Sequence, residues 1–183
     1  MSVAAPSLFV TVVDRIAVVK ITGRANFASS VNFKTLLLEL SDRGYNRYIL
    51  ELGQCVTMDS TFLGVLAGLA LKFGNSGPAQ ESSIQSNHSA GLELLNPNQR
   101  VLDLLDNLGV AHLFQVQHCS PPAEAAVEKP VDGPEPSREQ LSETCLEAHK
   151  LLMQINPSNI PKFKEVTQFL MEDLKKLKNG NDQ

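Results

Sequence analysis

A pair of hydroxyl residues between two apolar runs constrains this chain most. Tyr48-Ile49-Leu50-Glu51-Leu52 is a short apolar run, and Met58-Asp59-Ser60-Thr61-Phe62-Leu63-Gly64-Val65-Leu66 opens an apolar helical pattern that continues to Phe73. A strand that turns into a helix at Asp-Ser-Thr sets small hydroxyls at the helix entrance. The first backbone N–H groups there lack intrahelical partners, and the helix dipole favours negative charge. A phosphate added at that mouth changes its surface. Local sequence also offers a plainer role for Ser60 or Thr61, as the N-cap of the helix.

The surrounding pattern predicts an α/β domain. Phe9-Val10-Thr11-Val12-Val13 and Ile16-Ala17-Val18-Val19-Lys20-Ile21 are rich in β-branched residues, and Asp14-Arg15 between them suits a hairpin. Ser29 or Ser30 is expected to cap a helix through Phe33, Leu36, Leu37 and Leu40 that stops at Gly44. Residues 47–52 read as a strand and 60–73 as a helix. Leu92–Leu95 follows as a short strand, Pro97 begins a helix with Val101, Leu104, Leu105 and Leu108 on one face, and Phe114-Gln115-Val116 suits an edge strand. Strands alternating with helices indicate a mixed sheet covered by helices.

Three pieces of this stretch, in order, resemble the anti-sigma-factor antagonist family, whose fold is the STAS domain. Ile16-Ala17-Val18-Val19-Lys20-Ile21-Thr22-Gly23-Arg24 resembles the second strand and its Gly-Arg turn. Met58 to Leu66 resembles the phosphorylation loop, usually Asp-Ser-Ser-Gly-Leu-Gly. Leu92-Glu93-Leu94-Leu95-Asn96-Pro97, Val101-Leu102-Asp103-Leu104-Leu105 and Gly109 resemble the closing strand, loop and helix. The resemblance spans roughly residues 7 to 117.

It implies a non-enzymatic switch with no catalytic residue, cofactor or metal. Unmodified, such a domain binds a serine-kinase anti-sigma factor and frees the sigma factor. The kinase phosphorylates Ser60, with Thr61 a secondary site, and a PP2C-type phosphatase resets it. The partner-binding residues carried by the motif would be Arg24, Asn26, Asp59, Phe62, Leu63 and Val65. A STAS scaffold that is never phosphorylated, within a larger signalling or transport assembly, is the alternative. Two positions depart from the motif: Thr61 stands for Ser, and Phe62 stands for Gly. Phe62 reads first as core filler and second as an exposed anchor for one partner. The helix it begins is apolar nearly all round, so it is buried on both sides or partly covered by a partner. Gly64, Ala67 and Gly68 are expected to let it approach the sheet closely. Asn26 reads more simply as a turn residue.

Phosphate at Ser60 would bring about −1.5 to −2 charges. The helix N-terminus favours an anion by only about 0.3–1 kcal/mol, and Asp59 opposes it, so the domain need not unfold. A like-charge or desolvated contact across a partner interface costs several kcal/mol. His88, His112, His118 and His149 are scattered without metal spacing and read as solvated or core residues. A hydrolase with Ser60 as nucleophile would need a histidine within hydrogen-bond reach, which the adjacency of Asp59 does not create.

Beyond the domain (residues 1–118), positions 120–137 hold five of the ten prolines, so 119–137 reads as an extended linker. Residues 138–179 read as a helical hairpin. Ser137-Arg138-Glu139-Gln140 fits a capping box. Leu141, Cys145, Ala148, Leu152 and Ile155 then keep helical spacing up to Asn156-Pro157, and Phe163, Val166, Leu170, Leu174 and Leu177 resume it. Two helices alone bury little surface, so they are expected to dock on the first domain, on a second copy as a homodimer, or on a partner. The serine-rich segment 75–89 reads as a surface loop.

The first 119 residues carry 8 basic and 9 acidic side chains and the remainder 8 and 11, a net of −1 and −3. With a pI of 5.6, neither part has the basic patch of a nucleic-acid binder. No run suits a membrane span or a signal peptide. Three widely spaced cysteines suit a reducing compartment, so a cytoplasmic protein is the expectation, and the family resemblance implies a bacterial signalling protein.

Overall fold

The computed structural model describes residues 7–74, 91–119, 129–131 and 133–180. The segment 75–89 lies outside them. Strands β1 (Ser7–Val13) and β2 (Ile16–Ala25) form the expected hairpin, closed by Asp14 at φ 54°. Helix α1 (Phe27–Asp42) leads to β3 (Arg47–Glu51), β4 (Cys55–Met58) and α2 (Ser60–Gly74). Strand β5 (Gly91–Leu95), α3 (Gln99–Leu108), a 3-10 turn at 111–113 and β6 (Gln115–Gln117) follow. The short β7 (Lys129–Pro130) precedes α4 (Arg138–Ile155) and α5 (Ile160–Gly180).

The sheet runs β6-β5-β3-β2-β1-β7 and is mixed. Strands β2, β3, β5 and β6 are parallel, with β1 antiparallel to both β2 and β7. Strand β2 serves two neighbours, pairing with β3 over 16–20 and with β4 over 23–25. The change of partner falls at a bulge where Gly23 takes φ 70°, a backbone setting glycine adopts at no steric cost. The Gly-Arg piece is therefore a kink inside a strand that continues to Ala25, and it carries the chain beside β4. Within the segment read as linker, β7 joins the sheet edge and Val131 packs against the core.

Along β2, Ala17, Val19 and Ile21 are buried while their neighbours are half-exposed, the alternation of a sheet covered mainly on one face. Helices α1 and α2 pack together over this core, where the Phe33 and Phe62 rings lie 4.8 Å apart. The second helical pair forms a third layer: α4 lies on α2 and α1, and α5 lies on α4. Of the three docking surfaces open to the hairpin, the structure shows the first domain.

The caps explain the element boundaries. Asn26, not Ser29 or Ser30, caps α1, and Ser29 is the reciprocal member of its capping box. Asn98, rather than Pro97, caps α3. Ser137 and Gln140 close both arms of the box at α4. At the α4–α5 turn the fully buried Asn159 donates to the carbonyls of Leu108 at 2.9 Å and Leu152 at 3.0 Å, tying the hairpin to the end of α3. Asn159→Ala leaves buried acceptors short of a donor, and the expected cost is about 1–3 kcal/mol. Urea denaturation of both chains reads it; an unchanged midpoint would contradict this role.

Candidate functional site

The site forms where β4 ends and α2 begins. The Asp59 N–H donates to the Ala25 carbonyl at 3.0 Å, which sets the loop against the end of β2. Asp59 itself caps α2: Oδ1 accepts from the Phe62 N–H at 2.8 Å, and its carbonyl accepts from the Leu63 N–H at 3.0 Å. Its Oδ2 accepts from the Phe27 N–H at 2.7 Å, in the first turn of α1. One carboxylate therefore serves two helix N-termini, each with orphan donors and a positive dipole end. The N-cap role open to Ser60 or Thr61 is filled by Asp59, and the Ser60 hydroxyl is left for other contacts.

That hydroxyl meets the hairpin. Ser60 Oγ lies 2.9 Å from His149 Nε2 on α4, and the tautomer decides which of the two donates. Beside it, Thr61 Oγ1 is 3.4 Å from Cys145 Sγ, one turn earlier on α4. The glycines read as facing the sheet face α4 instead. A Cβ on Gly64 would sit 2.7 Å from both Ala148 Cβ and the Ala148 carbonyl oxygen, and one on Gly68 would meet Leu151 Cδ2 at 3.1 Å. The small residues bring helix against helix.

His149 is 6% exposed, and the Phe163 ring of α5 packs 4.7 Å from its centre. Its Nδ1 is buried with no hydrogen-bond partner among the described residues. An orphaned polar atom of this kind costs about 1–3 kcal/mol. Burial pushes the imidazole below its ordinary pKa. The Asp59 charge opposes this, as does the Cys145 carbonyl, which does not complete a hydrogen bond to Nδ1. The ring is mostly neutral at pH 7. Burial, with the Asp59 charge adding, also pushes the Cys145 thiol up against the opposing Thr61 contact, so it stays protonated.

A pH dependence follows from His149. The docked hairpin holds the neutral ring, whereas an undocked or unfolded chain takes up a proton near the ordinary value. Stability from this group is fully present above about pH 6.5 and is lost as pH falls through the depressed value. The urea midpoint is expected to drop between pH 7 and 5.5, and to drop less in His149→Gln. An identical slope in the two chains would contradict the assignment.

The sequence-derived residues separate into two groups. Arg24 is exposed on β2, and Asp59 and Ser60 are half-exposed at the helix mouth. Asn26 is committed to capping α1 through Ser29. Phe62 and Leu63 are fully buried, and Thr61 and Val65 are 4% and 7% exposed. Phe62 is thus core filler against Phe33, and the reading of Phe62, Leu63 and Val65 as outward contacts is corrected for this docked form. Thr61 as a secondary phosphoacceptor is likewise covered. Sequence reasoning missed Phe27, 47% exposed beside the mouth. It also missed His149, which lies 89 positions from Ser60 with no local signal to join them.

A serine bonded to a neutral imidazole is the beginning of a nucleophile–base pair. No acid orients Nδ1 among the described residues, and both Asp59 oxygens are bonded to backbone N–H groups. Among the described residues, no cluster of His, Cys, Asp and Glu suits a metal, and no helix is long and apolar enough to cross a membrane.

A mixed sheet with paired helices packed on it gives the chain a STAS-like α/β fold. Solved structures of the same architecture include TM1081, a putative anti-sigma factor antagonist from Thermotoga maritima. Its NMR structure is 20% identical over 60% of this chain and 78% of that one, with a TM-score of 0.50. Its crystal structure is 20% identical over 61% and 85%, with a TM-score of 0.48. The anti-sigma factor antagonist SpoIIAA in its unphosphorylated form is 17% identical over 60% and 87%, also at 0.48. At 20% identity the NMR structure's likeness speaks to the fold alone, and the two matches at 0.48 carry no argument. No family model and no curated protein matches the chain.

Proposed function

We propose that this chain is an anti-sigma-factor antagonist, a binding module rather than an enzyme, switched by phosphorylation of Ser60. The observation that carries the reading is the division of labour at the α2 mouth. Asp59 takes the capping role, and the next residue presents a hydroxyl that no backbone group requires. In this reading a serine-kinase anti-sigma factor contacts the mouth and the exposed residues beside it, Arg24 and Phe27. It phosphorylates Ser60, and a PP2C-type phosphatase removes the group. Adding the phosphate puts charge beside Asp59, where a covering partner must desolvate both. Phosphosite mapping of the chain from its native cell tests this. A phosphate at Ser60 is expected; a chain carrying none under every growth condition favours the unphosphorylated scaffold.

The Ser60–His149 contact supports a second reading, a hydrolase with Ser60 as nucleophile. A fluorophosphonate probe decides between them. Ser60 is expected to remain unlabelled, and stoichiometric labelling at that residue would favour the hydrolase.

A further inference from the structure

The face of α2 that carries Ser60 is already occupied by another part of the same chain. Helix α4 sits on it so closely that Gly64 has no room for a Cβ beside Ala148. His149 holds the space immediately beyond Ser60 Oγ, where a phosphoryl group would have to stand.

The contact is built differently from the sheet-side core. His149 and Thr61 are buried across it, 2.9 Å from Ser60 Oγ and 3.4 Å from Cys145 Sγ respectively, beside the apolar Ala148 and Leu152. The one buried side-chain polar atom without a partner among the described residues, His149 Nδ1, lies here. Further along α2, a groove of about 230 Å³ opens between α1, α2 and α4, lined by Leu38, Val65, Leu69 and Leu151 under Lys34 and Glu147. Buried polar pairs at one end of the seam and a groove along its side are the character of an interface between parts that can separate, more polar than a permanent core.

We propose that the α4–α5 hairpin is an intramolecular cover of the α2 mouth, which keeps Ser60 from any macromolecular partner until the hairpin lifts. The inference builds on the functional reading given above, since it places that reading's partner surface beneath α4. It adds a closed state that competes with the partner, so that the unmodified chain binds only while the hairpin is lifted. Opening is a subglobal event: α4 and α5 keep their mutual contacts, including the Arg138–Asp173 pair at 2.7 Å and the Lys178–Glu143 pair at 3.0 Å, while the seam to α2 and α1 and the Asn159 tie to α3 part.

The test needs no kinase. In the full chain carrying Ser60→Cys, labelling at position 60 by a polyethylene-glycol maleimide is followed by peptide mapping. Labelling is expected to be slow, and about tenfold faster or more when Ala148→Arg is added to force the seam apart. If Ala148→Arg does not fold, His149→Ala, which adds no bulk, gives the same comparison with a smaller expected rise. Immediate labelling of position 60 with the hairpin intact would overturn the proposal, as would equal rates with and without the seam substitution in folded chains. The outcome is separable from the switch itself. A shielded position 60 in a chain never phosphorylated in its cell keeps the cover and removes the switch. Phosphorylated Ser60 with a freely labelled position 60 does the reverse.

Discussion

Phe62→Ala is expected to destabilise the chain by about 3–5 kcal/mol, a large share of the roughly 5–15 kcal/mol that holds a domain folded. The ring is fully buried, packs tilted against Phe33 at 4.8 Å and stands two residues from Ser60. Removing it leaves a cavity where α1 and α2 meet and loosens the first turn of α2. Phe62→Leu, which keeps most of the volume, is expected to cost clearly less. Urea denaturation measures both. If Phe62→Ala kept its midpoint and lost only partner binding, Phe62 would be the outward anchor that the sequence also allowed.

Ser60→Asp is expected to abolish binding of the serine-kinase partner while the domain stays folded, and Ser60→Ala to bind but resist switching. The Asp variant adds a second carboxylate beside Asp59, at a surface that a covering partner would have to desolvate. The fold has little reason to fail, because the α2 cap is Asp59 and remains in place. The Ala variant loses one hydrogen bond to His149, worth about 0.5–1.5 kcal/mol. Titration calorimetry with the captured partner separates the two. Equal affinity for both variants would contradict a switch at this residue.

The elements with strong local signals were legible in the sequence. The β1–β2 hairpin, the α2 span and the Ser137–Gln140 capping box are all present as read. Strand β4 escaped because it has only four residues and exposes Val56 in mid-strand. The α1 cap was displaced by one element of its own box: Ser29 reads as a cap, yet it is the N3 partner of Asn26.

The site was legible only on one side. Asp59 and Ser60 stand in a local motif, so they could be found. Which way α2 faces could not, because a helix apolar all round has no phase to read, and Gly64 and Gly68 were assigned to the sheet when they meet α4. The buried face of α4 carries Ser142, Thr144 and His149, polar residues that a search for apolar periodicity passes over. His149 is buried because the surface it covers is a hydroxyl-bearing helix mouth, while Ser142 is buried against Asp173 of α5, and nothing near either in sequence records that.

Affinity capture from the native cell with the full chain as wild type, Ser60→Ala and Ser60→Asp, read by mass spectrometry with phosphosite mapping, tests the central claim most directly. The account predicts phosphate on Ser60 of the wild type and a serine-kinase protein held by the Ala chain and lost from the Asp chain. An unmodified Ser60, with the same partners on all three chains, would contradict it.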